Sequence, residues 1–252
     1  MIKIVTASSS NHYLSSLQFL NSILKFNYDI IYYDIGLIDE EVKDLQNKFP
    51  SILYKKFMFK DYPSYVNLEF PCSGAYAWKP LIVSLESHFD GILIWCDAGN
   101  IVTSFENAIK TIKHYSIYTP ISSGSIKKWT HPDTLKIVKT DFSTKKTRNA
   151  AFIGFDLSQN ITKQFISKWK YYALQKNIIL PNGAHRGNHR WDQSILSLLF
   201  YDFKINEIDH YIDFTIHNDV ERQTQNNKLY IVIAFIILLW VFKKSFSSFR
   251  IF

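Results

Sequence analysis

The sequence predicts an α/β fold: one domain with a mostly parallel central sheet and helices on both faces. Three observations predict it. Strand-like and helix-like segments alternate along the chain, one strand candidate is apolar over its whole length, and successive strands end on polar residues. With 252 residues, 47% apolar and 20% charged, the chain has enough apolar mass for a globular core, so disorder is not expected.

The elements follow in order. KIVTAS (3–8) reads as the first strand, because its apolar run is too short for a signal peptide. HYLSSLQFLNSILKF (12–26) spaces Leu14, Leu17, Leu20 and Leu24 roughly as a helix does. IIYYDIGL (30–37) is a second strand. IDEEVKDLQNKF (38–49) then places Asp39, Glu40 and Glu41 where a helix N-terminus favours acids. ILYKKFMF (52–59) is a third strand, and AYAWKPLIVSLESHF (75–89) a helix with Pro80 in its first turn, where no N–H is missed. GILIWCD (91–97) is the fourth strand, and its unbroken apolar character suits a sheet covered on both faces. SFENAIKTIKHY (104–115) is helical, SIYTPIS (116–122) extended, AAFIGFDLS (150–158) a strand, and ITKQFISKWKYYALQK (161–176) a helix. WDQSILSLLFYDF (191–203) is the last helix of the folded part. No internal repeat is visible.

The C-terminus has a different character. The folded domain is expected over 1–220, followed by the polar linker ERQTQNNK (221–228) and a tail (229–252). The tail opens with the apolar run Leu229 to Phe242 between Lys228 and Lys243-Lys244. As a helix that run reaches roughly 21 Å, short of the roughly 30 Å hydrocarbon core of a bilayer. Two readings stay open: a tail helix that anchors the protein to a membrane, or a buried last element. Phe and Arg in FKKSFSSFRIF suit an interface, so membrane association with a cytosolic domain is the expectation.

The net charge of +7 comes from scattered Lys and Arg, which gives no nucleic-acid footprint. The densest basic stretch, KKWTHPDTLKIVKTDFSTKKTR (127–148), reads as a solvated surface or lid, or as a contact for diphosphate, anionic lipid or nucleic acid. Cys72 and Cys96 stand in unlike contexts and make neither a disulfide framework nor a metal site, so a reducing compartment is expected.

Open parallel sheets bind ligands beyond the carboxyl ends of their strands. Three strand ends carry polar residues here: the hydroxyls of VTASSS, Asp34 before Gly36, and Asp97 in ILIWCDAGN. Each has a bland alternative as a helix or turn cap. Together, at corresponding ends, they favour one shared site.

Over roughly residues 1 to 217 the sequence resembles nucleotide-sugar-dependent glycosyltransferases of the GT-A fold. The resemblance is carried by VTASSSNHY, YYDIGL, AYAWKP, IWCDAGN at the place of an Asp-x-Asp motif, and HRWDQSILSLL. It implies transfer of a sugar from a nucleoside diphosphate sugar to a hydroxyl of a glycan, lipid or protein. On this resemblance Thr6, Ala7 and Ser8 line the donor base, Asp34 reads base or ribose, and Trp78 and Lys79 stand by the donor. Asp97 matches the first acid of Asp-x-Asp, which orients the ribose or binds Mg²⁺ or Mn²⁺. Gly99 stands where the second acid belongs, so metal dependence is open; Asn100 offers a neutral oxygen and His217 resembles a late metal ligand. Arg190, Trp191, Asp192 and Gln193 resemble the acceptor side. Asp192 either takes a hydroxyl proton or positions the acceptor, although an acid here also suits a helix N-terminus. Trp191 is placed to stack on a sugar. His185 and His189 lack the further spaced ligands of a zinc site. The alternatives are a non-catalytic nucleotide- or sugar-binding protein of the same fold and a membrane-anchored scaffold.

Overall fold

The computed structural model describes residues 1–138, 142–208 and 214–215. The linker at 221–228, the tail at 229–252 and His217 lie outside them. Among the described residues no helix is long and apolar enough to cross a membrane.

In chain order the elements are β1 (Ile2–Ser8), α1 (Tyr13–Ile23), β2 (Asp29–Asp34), α2 (Asp39–Lys48) and β3 (Leu53–Lys56). A short helical turn α3 (Pro71–Gly74), α4 (Trp78–Leu85), β4 (Ile92–Cys96), β5 (Ile101–Val102) and α5 (Glu106–Tyr115) follow. Then come β6 (Ile117–Tyr118), β7 (Ile121–Ser125), α6 (Ile126–Trp129), α7 (Pro132–Val138), β8 (Lys146–Arg148) and β9 (Phe152–Asp156). The described chain ends with α8 (Asn160–Ala173), α9 (Lys176–Ile179), α10 (Trp191–Asp202) and β10 (Phe214–Thr215).

The central sheet has the order β3-β2-β1-β4-β9-β6. Its first four strands are parallel, as the βα alternation requires. Side chains alternate between faces, so Val5, Ala7, Ile31, Leu93 and Trp95 pack with α4, α8 and α10. Ile4, Ile30, Tyr32, Ile92, Ile94 and Cys96 pack on the other face with α1 and α5. All five residues of β4 are buried, which explains its uninterrupted apolar sequence.

Three features differ from the sequence reading. β9 runs antiparallel to β4, and β6 antiparallel to β9. The chain leaves β4 through α5 and crosses over to β6, which runs parallel to β4; the excursion from β7 to β8 then turns it back, so that β9 enters the sheet between them from the carboxyl edge of β4. The basic stretch 127–148 is also structured in part, contributing most of α6, α7 and β8. Finally, the helix expected from Ala75 begins at Trp78, because Cys72, Ser73, Gly74, Ala75 and Tyr76 all have left-handed φ. A left-handed turn costs about 1–2 kcal/mol for each non-glycine residue. Gly74 is essential to it: a Cβ there would stand 2.0 Å from the Val66 carbonyl oxygen.

Gly154 in β9 lets α5 lie close to the sheet, since a Cβ at this position would fall 2.1 Å from Ile112 Cδ1. Gly154→Ala is expected to cost about 1–3 kcal/mol by overpacking. Adding Ile112→Ala should abolish that increment, and thermal unfolding of the two single variants and the double variant measures it. Equal costs of Gly154→Ala in both backgrounds would refute the packing account.

Candidate active site

The reversal at β9 builds the site. Where β4 stops, the Asp97 N–H donates to the Ala151 carbonyl (2.8 Å), and Asn100 Nδ2 donates to the same oxygen (2.7 Å). The neighbouring Ala150 carbonyl accepts from Lys79 Nζ at 3.1 Å. The end of β4, the start of α4 and the entry into β9 are thereby tied together at the carboxyl edge of the parallel strands.

Lys79 is the centre of this arrangement. It is 3% exposed, and its ammonium lies 2.8 Å from Asp97 Oδ1 and 3.3 Å from Asp192 Oδ2. Burial opposes the charged ammonium, but Asp192 and Asp97 outweigh it and hold Lys79 protonated above its ordinary range. Trp95 Nε1 donates to the same Asp97 oxygen at 2.7 Å. Burial pushes the Asp192 carboxyl up to about 6; Lys79 works against the rise and Asp97 adds to it.

The two acids differ in access. The Asp97 side chain is 23% exposed, the Asp192 side chain 6%. Asp192 Oδ2 is held by the Lys79 ammonium and has no further hydrogen-bond partner. Trp191 Nε1 and Asn100 Oδ1 are buried without a hydrogen-bond partner. A buried polar group left unpaired costs about 1–3 kcal/mol. One donor, on Trp191, and one acceptor, on Asn100, are in this state, and a hydroxyl can satisfy either of them.

Backbone strain concentrates here as well. Trp191 opens α10 with φ 46°, an outlier for a bulky residue, and its ring packs on Tyr76 at 5.7 Å. Tyr76 closes the left-handed turn before α4. Sequence reasoning passed over this residue; the Gly74 inside CSGAY was the available signal for an unusual turn.

The other expected donor residues are placed as follows. Asp34 is 2% exposed, and its carboxylate accepts the N–H groups of Gly36 and Leu37 (2.7 Å each) and the Tyr54 hydroxyl (2.8 Å). Oδ1 therefore caps the turn after β2, and Oδ2 holds Tyr54 of β3. Ser8 Oγ bonds the Tyr32 hydroxyl inside the fold, and Thr6 is fully buried. Ala7 lies in the core beside them. Trp78 packs between Tyr76 and Trp95. Arg190 and Gln193 flank Trp191 and Asp192; the Arg190 N–H donates to the Trp129 carbonyl, and the Gln193 N–H to Arg190 O.

His189 is fully buried. One ring nitrogen accepts the His131 N–H and the other donates to Ile179 O, both at 3.1 Å. Burial lowers its pKa to about 4, so the ring stays neutral and pins the loop before α10.

Among the described residues no three His, Cys, Asp or Glu side chains cluster to hold a metal. Asp97 already faces an ammonium, Gly99 brings no carboxylate, and Asn100 adds one neutral oxygen. These donors alone do not fit a divalent cation.

Solved structures similar to this architecture include glycosyltransferases. The galactosyltransferase LgtC, in complex with donor and acceptor sugar analogues, has a TM-score of 0.51 and 14% identity, over 79% of this chain and 70% of its own. Mouse xyloside xylosyltransferase 1, in its apo form, has a TM-score of 0.51 and 9% identity, over 84% of each chain. The fold is that of the GT-A glycosyltransferases. In sequence, residues 1–84 match the family described as "Protein of unknown function (DUF1647)". No curated protein matches the chain in sequence.

Proposed function

We propose that the protein is a glycosyltransferase that moves a sugar from a nucleoside diphosphate sugar to a hydroxyl acceptor. The observation that carries this reading is the Asp97–Lys79–Asp192 group at the ligand edge of a GT-A sheet, with unpaired polar atoms of Trp191 and Asn100 beside it. A fold hosts many functions, so the site and not the fold supports the activity.

In this reading Asp97, the more open acid, binds hydroxyls of the donor. Asp192 Oδ2 receives the acceptor hydroxyl and, with a pKa raised to about 6, takes up its proton as the acceptor oxygen bonds the anomeric carbon and the bond from that carbon to the nucleoside diphosphate breaks, releasing the nucleoside diphosphate. Lys79 opposes the rise in the Asp192 pKa and fixes the separation of the two carboxylates. Trp191 offers an apolar face to a sugar ring and an indole N–H to one of its oxygens.

The test is calorimetry of the full chain with UDP and other nucleoside diphosphates, alongside release of nucleoside diphosphate from a panel of donor sugars. Asp97→Ala is expected to weaken donor binding about tenfold or more, a loss of about 1.4 kcal/mol. Donor binding without turnover would leave the non-catalytic binding protein as the answer. Absence of any nucleoside diphosphate binding would overturn both.

A further inference from the structure

We infer that Lys128, Arg186 and Arg190 form an oxyanion subsite beside Asp192, and that the acceptor bound there carries a phosphate-class group. This inference rests on the glycosyltransferase reading and names a property of its substrate.

The subsite is built around Trp129. The Arg190 guanidinium carbon lies 4.2 Å from the centroid of its ring, and Lys128 Nζ lies 4.6 Å from it. The indole is fixed by its N–H, which donates to Ser123 O at 2.9 Å, and Gly124 leaves room for it where a Cβ would fall 2.2 Å from Nε1. The Trp129 carbonyl in turn receives the Arg190 N–H (3.1 Å) and the Ser194 hydroxyl, which ties α6 to the start of α10. Arg190 therefore sits on a rigid platform two residues before Asp192.

Its charge is not neutralised locally. Among the described residues neither Arg186, Arg190 nor Lys128 pairs with an acid, and Arg190 Nε is buried without a hydrogen-bond partner. Burial and the neighbouring charge of Arg186 both lower the Arg190 pKa, as expected of cations held together. Tyr76 packs on Trp191, the residue between Arg190 and Asp192, and so stands where the cations and the acids meet. Like charges fixed around one indole raise the free energy of the empty protein, and an oxyanion would relieve it. A stacked guanidinium keeps its N–H edges free for paired hydrogen bonds to phosphate oxygens. The site thus has negative groups for hydroxyls on one side and positive groups for an oxyanion on the other.

Two sources share this chemistry: a phosphate on the acceptor and the diphosphate of the donor. Calorimetry of the full chain with glycerol 3-phosphate, inorganic phosphate, UDP and uridine separates them. We expect glycerol 3-phosphate to bind, and Arg186→Gln and Arg190→Gln each to weaken it about tenfold, with Arg190→Lys intermediate and UDP affinity unchanged. Arg186 is exposed, so its variant tests charge without risk to folding. If UDP loses affinity in the same variants while uridine does not, the cations serve the donor diphosphate and the inference of a phosphate-bearing acceptor is overturned. Absent phosphate binding, or binding equal in wild type and all three variants, overturns it. Phosphate binding without any nucleoside diphosphate binding would remove the glycosyltransferase reading and keep the subsite.

Discussion

Lys79→Met is expected to destabilise the protein by about 3–5 kcal/mol, the range seen when one partner of a buried ion pair is removed. Methionine nearly matches the lysine stem in volume, so packing changes little and the loss reports charge. For a domain of this size the melting temperature should fall by roughly 6–20 °C. The mechanism predicts a pH signature. The folded-state pKa of Asp192 lies above its ordinary 3.8 even with Lys79 present, and without the ammonium it should rise further. For an acid shifted upward, the folded state holds more protons between the two pKa values. The stability this contributes is fully present below about 3.8 and is lost as pH rises through the folded pKa. Wild type should lose it up to about pH 6, whereas Lys79→Met should keep losing stability above that. Adding Asp192→Asn should recover much of the defect at pH 8. A defect of equal size at pH 5 and pH 8, unaffected by the second substitution, would sink the charge argument.

Much of this fold is readable from the chain because the governing rules are local. An unbroken apolar strand such as ILIWC demands cover on both faces, and the structure gives it α4 and α8 on one side and α1 and α5 on the other. Strand direction is not local in this way. AAFIGFDLS has the same pattern whether it runs parallel or antiparallel, so the reversal of β9 was invisible, and with it the carbonyls of Ala150 and Ala151 that hold Lys79 and Asn100. The left-handed turn was hidden for a related reason. Gly74 signals an unusual turn, but Cys72, Ser73, Ala75 and Tyr76 adopt the same region against their own preference because tertiary packing fixes it. Tyr76 could not be named until that turn was known. Asp34 illustrates the opposite limit: an acid before a glycine at a strand end reads equally as ligand or cap, and its hydrogen bonds from Gly36, Leu37 and Tyr54 are compatible with both. Spacing could bring Asp97 and Asp192 to one edge of the sheet, but not reveal that a single buried ammonium joins them.

That junction separates catalysis from stability at Asp192. Asp192→Asn is expected to reduce kcat/KM for transfer by about 10²–10⁴, the usual contribution of a positioned acid or base, while thermal stability at pH 8 holds or rises. The stability expectation follows from burial: the carboxylate has a raised pKa, so its ionised form costs the folded state free energy near neutral pH. The amide keeps an oxygen toward Lys79 and removes that cost. Wild-type kcat/KM should fall about tenfold per pH unit below about 6 as Asp192 takes up a proton, and the residual activity of the variant should lack this limb. A purely structural acid predicts the reverse on both measurements, namely a variant that melts earlier and an acid limb that survives the substitution. Because Lys79 touches both acids, the effects of Asp97→Asn and Asp192→Asn should not add: residues sharing one charge network couple by about 0.5–3 kcal/mol. The double variant should therefore be less impaired than the product of the two single losses, since after the first substitution the remaining acid already works in an altered field.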